Sequence, residues 1–473
     1  MHKLPFFYDY VFPNFILPNA LPSEMGIVNY LHTLYSNRLS SETFFEENLD
    51  RSDNFLKQMF GPHMGDWPSS VRMGGSYLMS PCFRSRVEIY ENSVYFGKRT
   101  LHADKFRRYI YPIKVTLHFG RFTGVDRIGS KLNGEYFWKN ISADVLQDLR
   151  ERKAIVFLDW SNENFIERGQ FQDFHQGLKS SGIPKEQIIL SINSFNATEV
   201  YESWFSPEER CLEVRNLPFL ISNISHFYYT NPNIRLSEEQ WLKTKETLRK
   251  NYFVYPIRRG RDHRLAVLHK LWNDDLLSKA DWSCLDFKDP HHGYAVSVNF
   301  GFNLDIQKSQ ELYKHLPHSL QDEEGSNYHT VHGWNDQHSK YGENSYFYLA
   351  SETYFHGQYK SLTEKVFKPI ANFQPFIFMA YQGALAELRN LGFKTFSPFI
   401  DESYDNEPDA GKRMQMITAE VARLCAMSKE EIHNWYWGME EILRHNQRFF
   451  LELWKDESHS REFINYLYRR VVL

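Results

Sequence analysis

Short apolar runs separated by amphipathic stretches recur along the chain and predict alternating strands and helices. Residues 154–158 and 188–192 are almost entirely apolar, which is typical of parallel strands covered on both faces. Between these runs, Phe171, Phe174 and Leu178 recur at helical spacing. The three elements predict a βαβ unit in the N-terminal half of the chain.

A second series of the same kind follows a polar helical stretch at residues 237–250. Its first strand is predicted at 252–257, and its first helix carries Leu265, Leu268 and Leu271 on one face. The remaining patterns predict strands at 109–122, 346–350, 375–379 and from 395, and helices at 145–149, 363–373, 385–391 and from Met414 onward. A capping box is expected at residues 428–431.

This order predicts an α/β protein with two Rossmann-like domains in series and helices at the C-terminus. We expect an N-terminal domain at 1–245, whose first hundred residues are irregular, a second domain at 246–415, and a helical segment at 416–473. A chain of 473 residues is long enough for two or three domains.

Composition narrows the function classes. The net charge of −4 gives no global attraction to nucleic acid or to acidic membrane. No run of about 18 apolar residues and no signal peptide is recognised, so we expect no membrane span. The four cysteines are far apart and lack CxxC spacing, which disfavours both a zinc site and a disulfide framework. A reducing cytoplasm fits best.

Several motifs are missing from the sequence. It contains no GxxxxGK(S/T), GxGxxG, GxSxG or HExxH, which disfavours ATP hydrolysis, dinucleotide redox chemistry, α/β-hydrolase chemistry and a zincin site. The histidines at 291–292, 329, 332 and 338 cluster without forming such a motif. We therefore expect neither a bound metal nor a cofactor.

The segment Thr363-Glu364-Lys365 opens a predicted helix. The positive end of a helix dipole favours phosphate, and Lys365 adds a point charge. Glu364 can accept hydrogen bonds from the two hydroxyls of a ribose. The alternative is an ordinary capped helix with a solvated Glu and Lys, and Pro369 predicts a kink or a later helix start.

Residues 345–353 and 360–370 together resemble the donor-binding signature of α1,3-fucosyltransferase-like glycosyltransferases. In that signature an apolar strand runs into Phe-Glu-Asn-Ser, and a short loop leads to Tyr-(Ile/Val)-Thr-Glu-Lys-Leu. Thr353 and Ser361 depart from it, and Lys368-Pro369 has no counterpart. The segments 363–370, 391–396 and 401–405 also resemble uncharacterised phage-type proteins, which extends the expected location to the cytoplasm of an infected cell.

The resemblance implies a GT-B architecture, in which two Rossmann-like domains face a cleft and the C-terminal domain binds a nucleotide-sugar donor. Glu364 would then hold the ribose, Lys365 and the Thr363 helix start the diphosphate, and Glu352 would occupy the Phe-Glu-Asn-Ser position. The absence of an Asp-x-Asp motif, which metal-dependent GT-A enzymes use, favours a metal-free mechanism.

The basic loop between the first strand and first helix of the second domain is another candidate for phosphate contact. Arg258, Arg261 and Arg264 are the candidates, because planar guanidinium groups grip phosphate oxygens. The alternative is a solvated basic surface.

The base that accepts the proton of the acceptor hydroxyl should come from the N-terminal domain. Glu163 and Asp159 follow the strand at 154–158, and the carboxyl ends of parallel strands are where α/β proteins bind ligands. Glu163 is the first choice. A loop carboxylate in water is the alternative.

The leading hypothesis is a cytoplasmic glycosyltransferase that moves a sugar from a nucleotide diphosphate to an acceptor hydroxyl. The acceptor is left open between a glycan, a lipid-linked sugar, a protein and a hydroxymethylated DNA base. Two alternatives remain: a non-catalytic carbohydrate-binding or viral structural protein on a GT-B-like scaffold, and a nucleic-acid-binding module that uses the loop 258–264.

Overall fold

A computed structural model describes residues 4–8, 94–98, 106–114, 143–160, 168–217, 219–286, 290–320, 339–456 and 458–471. The chain divides into two compact units. The first unit comprises Met1–Phe219 and Glu457–Leu473, and the second comprises Leu220–Asp456. The boundary near residue 245 expected from the sequence falls inside the second unit. The helical segment expected at 416–473 is divided between the two units.

Ten strands are described: β1 Leu4–Tyr8, β2 Val94–Lys98, β3 Tyr109–Lys114, β4 Ala154–Trp160, β5 Ile188–Ile192, β6 Glu213–Asn216, β7 Asn251–Arg259, β8 Ala280–Asp286, β9 Ser345–Ser351 and β10 Phe376–Met379.

Fifteen α-helices are described: α1 Ala143–Arg150, α2 Arg168–Ser181, α3 Ala197–Trp204, α4 Phe219–Thr230, α5 Glu238–Lys243, α6 Asp262–Asn273, α7 Pro290–Asn299, α8 Ile306–Tyr313, α9 Ser339–Asn344, α10 Glu364–Ala371, α11 Ala384–Asn390, α12 Ala410–Cys425, α13 Lys429–Trp437, α14 Glu440–Glu452 and α15 Ser458–Val471.

The sheet of the first unit has the order β2-β1-β3-β4-β5-β6, and every described pairing in it is parallel. The C-terminal helix α15 packs on this sheet. Phe463 and Leu467 join a buried cluster with Ile155 and Phe157, and the rings of Phe157 and Phe463 lie 5.2 Å apart. The last helix of the chain therefore completes the core of the first unit.

The sheet of the second unit has the order β10-β9-β7-β8 and is also parallel throughout its described pairings. Counted across the sheet from β8 to β10, its strands are the second, first, third and fourth of this unit in chain order. The strands β2-β1-β3-β4 of the other sheet follow the same order. All seven residues of β9 and all four of β10 are buried, as their continuous apolar sequences predict. The expected α/β class with two Rossmann-like units is confirmed.

Most elements predicted from the apolar pattern are present in the structure. The helix predicted at 237–250 is shorter, because α5 ends at Lys243 and a 3₁₀ turn follows at Thr244–Glu246. The strand expected from residue 395 is wrong: this segment is a loop, and the Phe396 ring packs edge-on against Phe376 at 5.0 Å. The capping box at Ser428 is confirmed. The predicted strand continuation past Lys114 lies outside the described residues.

Candidate functional site

The candidate site of the second unit lies at the carboxyl ends of its central strands. The chain leaves β7 towards β8 on one side and returns with β9 on the other side. The point between β7 and β9 is therefore a topological switch point, where open α/β sheets bind their ligands. The segments that follow these strands hold most of the predicted donor-binding residues. The structure thus brings together groups that are about 100 residues apart in sequence.

Glu352 follows β9 directly and is almost fully buried, with 2% of its surface exposed. Its Oε1 accepts hydrogen bonds from the amide and the hydroxyl of Thr363, each at 2.8 Å. Its Oε2 accepts from the Thr353 amide at 2.9 Å. The carboxylate thus joins the end of β9 to the start of α10 and positions that helix. It is a positioning group rather than an exposed acceptor.

Helix α10 begins at Glu364, with Thr363 as its N-cap residue. The Thr363 hydroxyl points to Glu352 and makes no capping hydrogen bond to the helix. The amides of the first turn are therefore not capped by that side chain, and the phosphate-binding role expected of this helix start stays a prediction. Pro369 lies inside the helix, which continues to Ala371.

Glu364 and Lys365 form a charged pair at this helix start. Lys365 Nζ lies 2.8 Å from Glu364 Oε1 and 3.0 Å from Thr363 Oγ1. About a fifth of the Glu364 side chain and a quarter of the Lys365 side chain are exposed. Burial raises the pKa of Glu364, but the ammonium groups of Lys365 and Lys368 outweigh it and hold the pKa at about 2. Glu364 is thus an ionised acceptor that can bind ribose hydroxyls.

Arg264 is buried and braces the two strand ends. Its guanidinium donates to Ser351 Oγ at 3.1 Å and to the carbonyl oxygens of Ser351 and Glu352 at 3.1 and 2.9 Å. A further long contact of 3.4 Å reaches the Arg259 carbonyl. Since only 6% of Arg264 is exposed, the structure places it as a brace between α6 and β9 and not where a ligand would meet it.

The other two predicted arginines are more accessible. Arg258 is exposed near the end of β7. Arg261 is half-buried at the N-cap position of α6, and its guanidinium lies 5.3 Å from the centre of the Tyr354 ring. Arg258 lies at the carboxyl end of β7 and Arg261 in the short loop that follows it, at the switch point. Both are therefore more accessible to a phosphate than Arg264 is.

The loop between Glu352 and Thr363 is anchored by residues that the sequence reasoning missed. The Phe355 ring lies between His263, stacked at 5.8 Å, and the Arg413 guanidinium at 4.5 Å. Arg413 also donates to the Phe355 carbonyl at 2.6 Å. His263 Nε2 lies 3.0 Å from the Glu352 carbonyl, which can only accept, so this nitrogen carries a proton. Burial lowers the pKa of His263 well below its usual value, so the ring is neutral.

The start of α11 follows β10, and a side chain of the protein already binds its amides. The Asp405 carboxylate accepts from the Leu385 and Ala386 amides at 3.0 and 3.2 Å, which caps α11. Between β10 and this helix lies Tyr381, whose buried hydroxyl has no hydrogen-bond partner within the described part of the chain. The Asp401–Asp405 segment, singled out by the phage-type likeness, therefore has a structural role in capping.

The proposed base lies in the first unit. Asp159 was expected in the loop after a strand at 154–158, but β4 continues to Trp160, so Asp159 is the penultimate residue of this strand. Glu163 lies outside the described residues. Both assignments stay predictions.

Among the described residues, no group of three or more His, Cys, Asp or Glu side chains is placed to hold a metal ion. His292 instead pairs with Asp262, at 2.8 Å. Cys211, Cys284 and Cys425 are buried, and none of them forms a disulfide within the described part of the chain. No helix in the described ranges combines the length and the apolar character needed to cross a membrane.

The chain has distant structural relatives. It is similar to an α,α-trehalose-phosphate synthase (UDP-forming) from Burkholderia vietnamiensis, with 12% identity over 68% of this chain and 70% of the synthase and a TM-score of 0.34. It is also similar to the trehalose-6-phosphate synthase OtsA, with 13% identity over 70% and 77% of the two chains and a TM-score of 0.32. Similarity at this level is too distant to assign an activity. No protein-family model matches the sequence, and no curated protein is significantly similar to it.

Proposed function

We propose that this protein is a glycosyltransferase that moves a sugar from a nucleotide-diphosphate donor to an acceptor hydroxyl. The observation that carries the proposal is the pair Glu364 and Lys365 at the start of α10, next to the switch point of the second sheet. An ionised carboxylate beside an ammonium group at a helix N-terminus suits the ribose and the diphosphate of one nucleotide.

In the proposed reaction, the negative charge that grows on the leaving diphosphate is neutralised by Lys365, Arg258, Arg261 and the N-terminus of α10. Such fixed positive groups lower the barrier because they need no reorganisation during the reaction. Glu364 holds the ribose, while Glu352 and Arg264 keep the strand ends and the helix in place. No divalent metal is assigned to the donor.

The base that removes the proton from the acceptor hydroxyl is assigned to Glu163, with Asp159 as the second choice. We assign the two units to a GT-B arrangement in which the first unit binds the acceptor. The transferred sugar is left open between a hexose and a pentose. A glycan is the proposed acceptor, and the phage-type resemblance adds a hydroxymethylated DNA base. A cytoplasmic location remains part of the proposal.

A panel of nucleotide sugars tests the proposal, because slow hydrolysis reveals the donor before the acceptor is known. Hydrolysis of one donor is expected, together with a thermal shift by the matching nucleoside diphosphate among GDP, UDP and ADP. Lys365→Met and Glu364→Gln should lose both signals. Lys412→Gln, an exposed lysine of the same unit, should keep them.

Two results would replace the proposal with one of its alternatives. Stabilisation by a free glycan, with none by any nucleotide, would identify a carbohydrate-binding protein without transferase activity. Salt-dependent retention on DNA without donor turnover would identify a nucleic-acid-binding module instead.

A further inference from the structure

A cavity of about 480 Å³ opens in the first unit, on the edge of the sheet opposite to the carboxyl ends of its strands. Arg108 precedes β3, Arg152 precedes β4, and Lys185 precedes β5. Because the strands are parallel, their amino ends meet at one edge, which brings these three side chains together. Arg210, Arg215 and Arg470 complete the cationic lining.

The cavity carries more positive than negative groups. Six cationic side chains and three carboxylates, those of Glu186, Glu202 and Glu213, line it. Glu213 forms ion pairs with two arginines: Arg470 Nη1 lies 2.5 Å from its Oε2, and Arg215 pairs with its Oε1. Glu202 pairs with Arg210 at 3.4 Å. The carboxylates are thus largely committed to the arginines that accompany them.

Three of the cations have no carboxylate partner among the residues that the structure describes. Lys185 Nζ donates to the Pro207 carbonyl at 3.0 Å, and Arg108 donates to the Arg470 carbonyl at 3.3 Å. Arg152 is exposed. Like charges collected around one cavity repel one another unless an anion is bound between them.

Arg215 provides a second observation that points to a ligand. Its guanidinium lies 4.0 Å from the centre of the Tyr466 ring and pairs with Glu213. Its Nε is buried and has no hydrogen-bond acceptor within the described ranges. Buried donors in proteins normally have an acceptor, supplied by the chain, by water or by a ligand.

We propose that this cavity binds a small multiply charged anion through its phosphoryl groups. Planar guanidinium forks and a lysine are the side chains that recognise phosphate oxygens, and the cavity has the size of small-molecule sites. Its position at the amino ends of the strands separates it from the carboxyl edge, where α/β proteins bind substrates. The site is therefore a regulatory or stabilising one, and it does not depend on the proposed transferase activity.

The bound anion would also hold the C-terminal helix to the sheet. Arg470 belongs to α15, while Arg108, Arg152 and Lys185 belong to segments that lead into the strands. An anion that contacts both groups favours the docked position of α15. Binding should therefore raise the unfolding temperature of the first unit.

The test uses the full chain with inorganic phosphate and pyrophosphate, at an ionic strength held constant with sodium chloride. A hexose phosphate in a third arm distinguishes a phosphorylated metabolite from the inorganic ion. Pyrophosphate is expected to stabilise the protein and to bind with a measurable heat. The double variant Arg152→Gln/Lys185→Gln should weaken this binding by about tenfold or more, since it removes two charge-assisted contacts.

Two controls make the result specific. Lys179→Gln changes an exposed lysine of the same unit that does not line the cavity, and it should bind as the wild type does. Lys365→Met should also retain this binding, which separates the cavity from the candidate donor site in the second unit. Arg215→Lys tests the planar fork, and weaker binding is expected although the charge is kept.

The proposal is overturned if no phosphoryl anion stabilises the wild type more than chloride at equal ionic strength. Unchanged pyrophosphate affinity in the double variant would overturn it as well. A single-stranded oligonucleotide that binds more tightly than pyrophosphate and loses affinity in the same double variant would show a nucleic-acid surface instead.

Discussion

The Glu352 carboxylate accepts hydrogen bonds from both the amide and the hydroxyl of Thr363, eleven residues further along the chain. Both residues are buried. The contact closes the loop between β9 and α10 and fixes the direction in which the helix start points. In the proposed donor site, the position of Glu364 and Lys365 depends on this pair.

Thr363→Val should destabilise the second unit by about 1–3 kcal/mol, because it leaves a buried carboxylate without one of its donors. The matched control is Thr363→Ser, which keeps the hydroxyl and should lose much less. Urea denaturation of the full chain measures the difference. Equal stability of the Val and Ser variants would show that the hydroxyl contributes nothing to the folded state.

The depressed pKa of Glu364 predicts a pH-dependent contribution to stability. The folded pKa is about 2, below the ordinary value of 4.5. A carboxyl group of this kind contributes stability that is present above pH 4.5 and is lost as the pH falls towards 2. Glu364→Gln should therefore be less stable than the wild type at neutral pH, and the gap should shrink across that window.

Denaturant midpoints at several pH values check this prediction. The control is Glu246→Gln, which changes an exposed glutamate of the same unit. A gap between wild type and Glu364→Gln that stays constant down to pH 2 would contradict the assigned role of Lys365 and Lys368.

Arg261 and Arg264, three residues apart in sequence, should respond differently to the same substitution. Arg261→Gln should lower the rate of donor turnover on the order of 100-fold, as expected when one stabilising donor is removed from a transition state, with unfolding unchanged. Arg264→Gln should instead lower the free energy of unfolding by about 1.5–3 kcal/mol, because the hydrogen bonds from its charged group to the Ser351 and Glu352 carbonyls are lost. Turnover and urea denaturation of both variants separate the two roles, and a loss of stability in Arg261→Gln would count against its assignment.

The sequence predicted the buried strands well because their apolar runs leave few alternatives. β4, β5 and β9 were found in this way, whereas β8 was missed. It contains Asp281, Ser283 and Asp286. It also forms the edge of its sheet, so only one of its two sides pairs with another described strand. An edge strand with polar residues resembles a loop in a single sequence.

The candidate site was predictable where one short segment carries its chemistry, as at Thr363-Glu364-Lys365. It was less predictable where the function of a side chain depends on whether it points to the ligand or into the core. Arg264 was predicted to contact phosphate, yet it precedes Leu268 by four residues and Leu271 by seven. It therefore lies on the apolar face of α6, and this spacing was the available signal for a buried brace. His263 and Arg413 had no such signal, because only the fold brings them to Phe355.

A glycine in α7 provides a further test of the packing in the second unit. A Cβ atom at Gly293 would lie 2.4 Å from His269 Nε2 and 3.0 Å from the Tyr313 hydroxyl, which are themselves hydrogen-bonded at 3.0 Å. His269 is completely buried, so the ring has little room to move. Gly293→Ala should destabilise the second unit by about 1–3 kcal/mol through overpacking, despite the better helix propensity of alanine.

Gly169, near the start of α2 in the first unit, is the matched control for this substitution. Apart from its neighbours along the chain, a Cβ atom there would meet no atom of the described residues within 4 Å. Gly169→Ala should therefore stabilise its unit by up to about 1 kcal/mol, since only the helix propensity changes. Opposite signs in the two denaturation curves are expected, because the same added methyl group meets a buried imidazole in one helix and open space in the other. If Gly293→Ala proved as stabilising as Gly169→Ala, the close packing of α7 against His269 would be disproved.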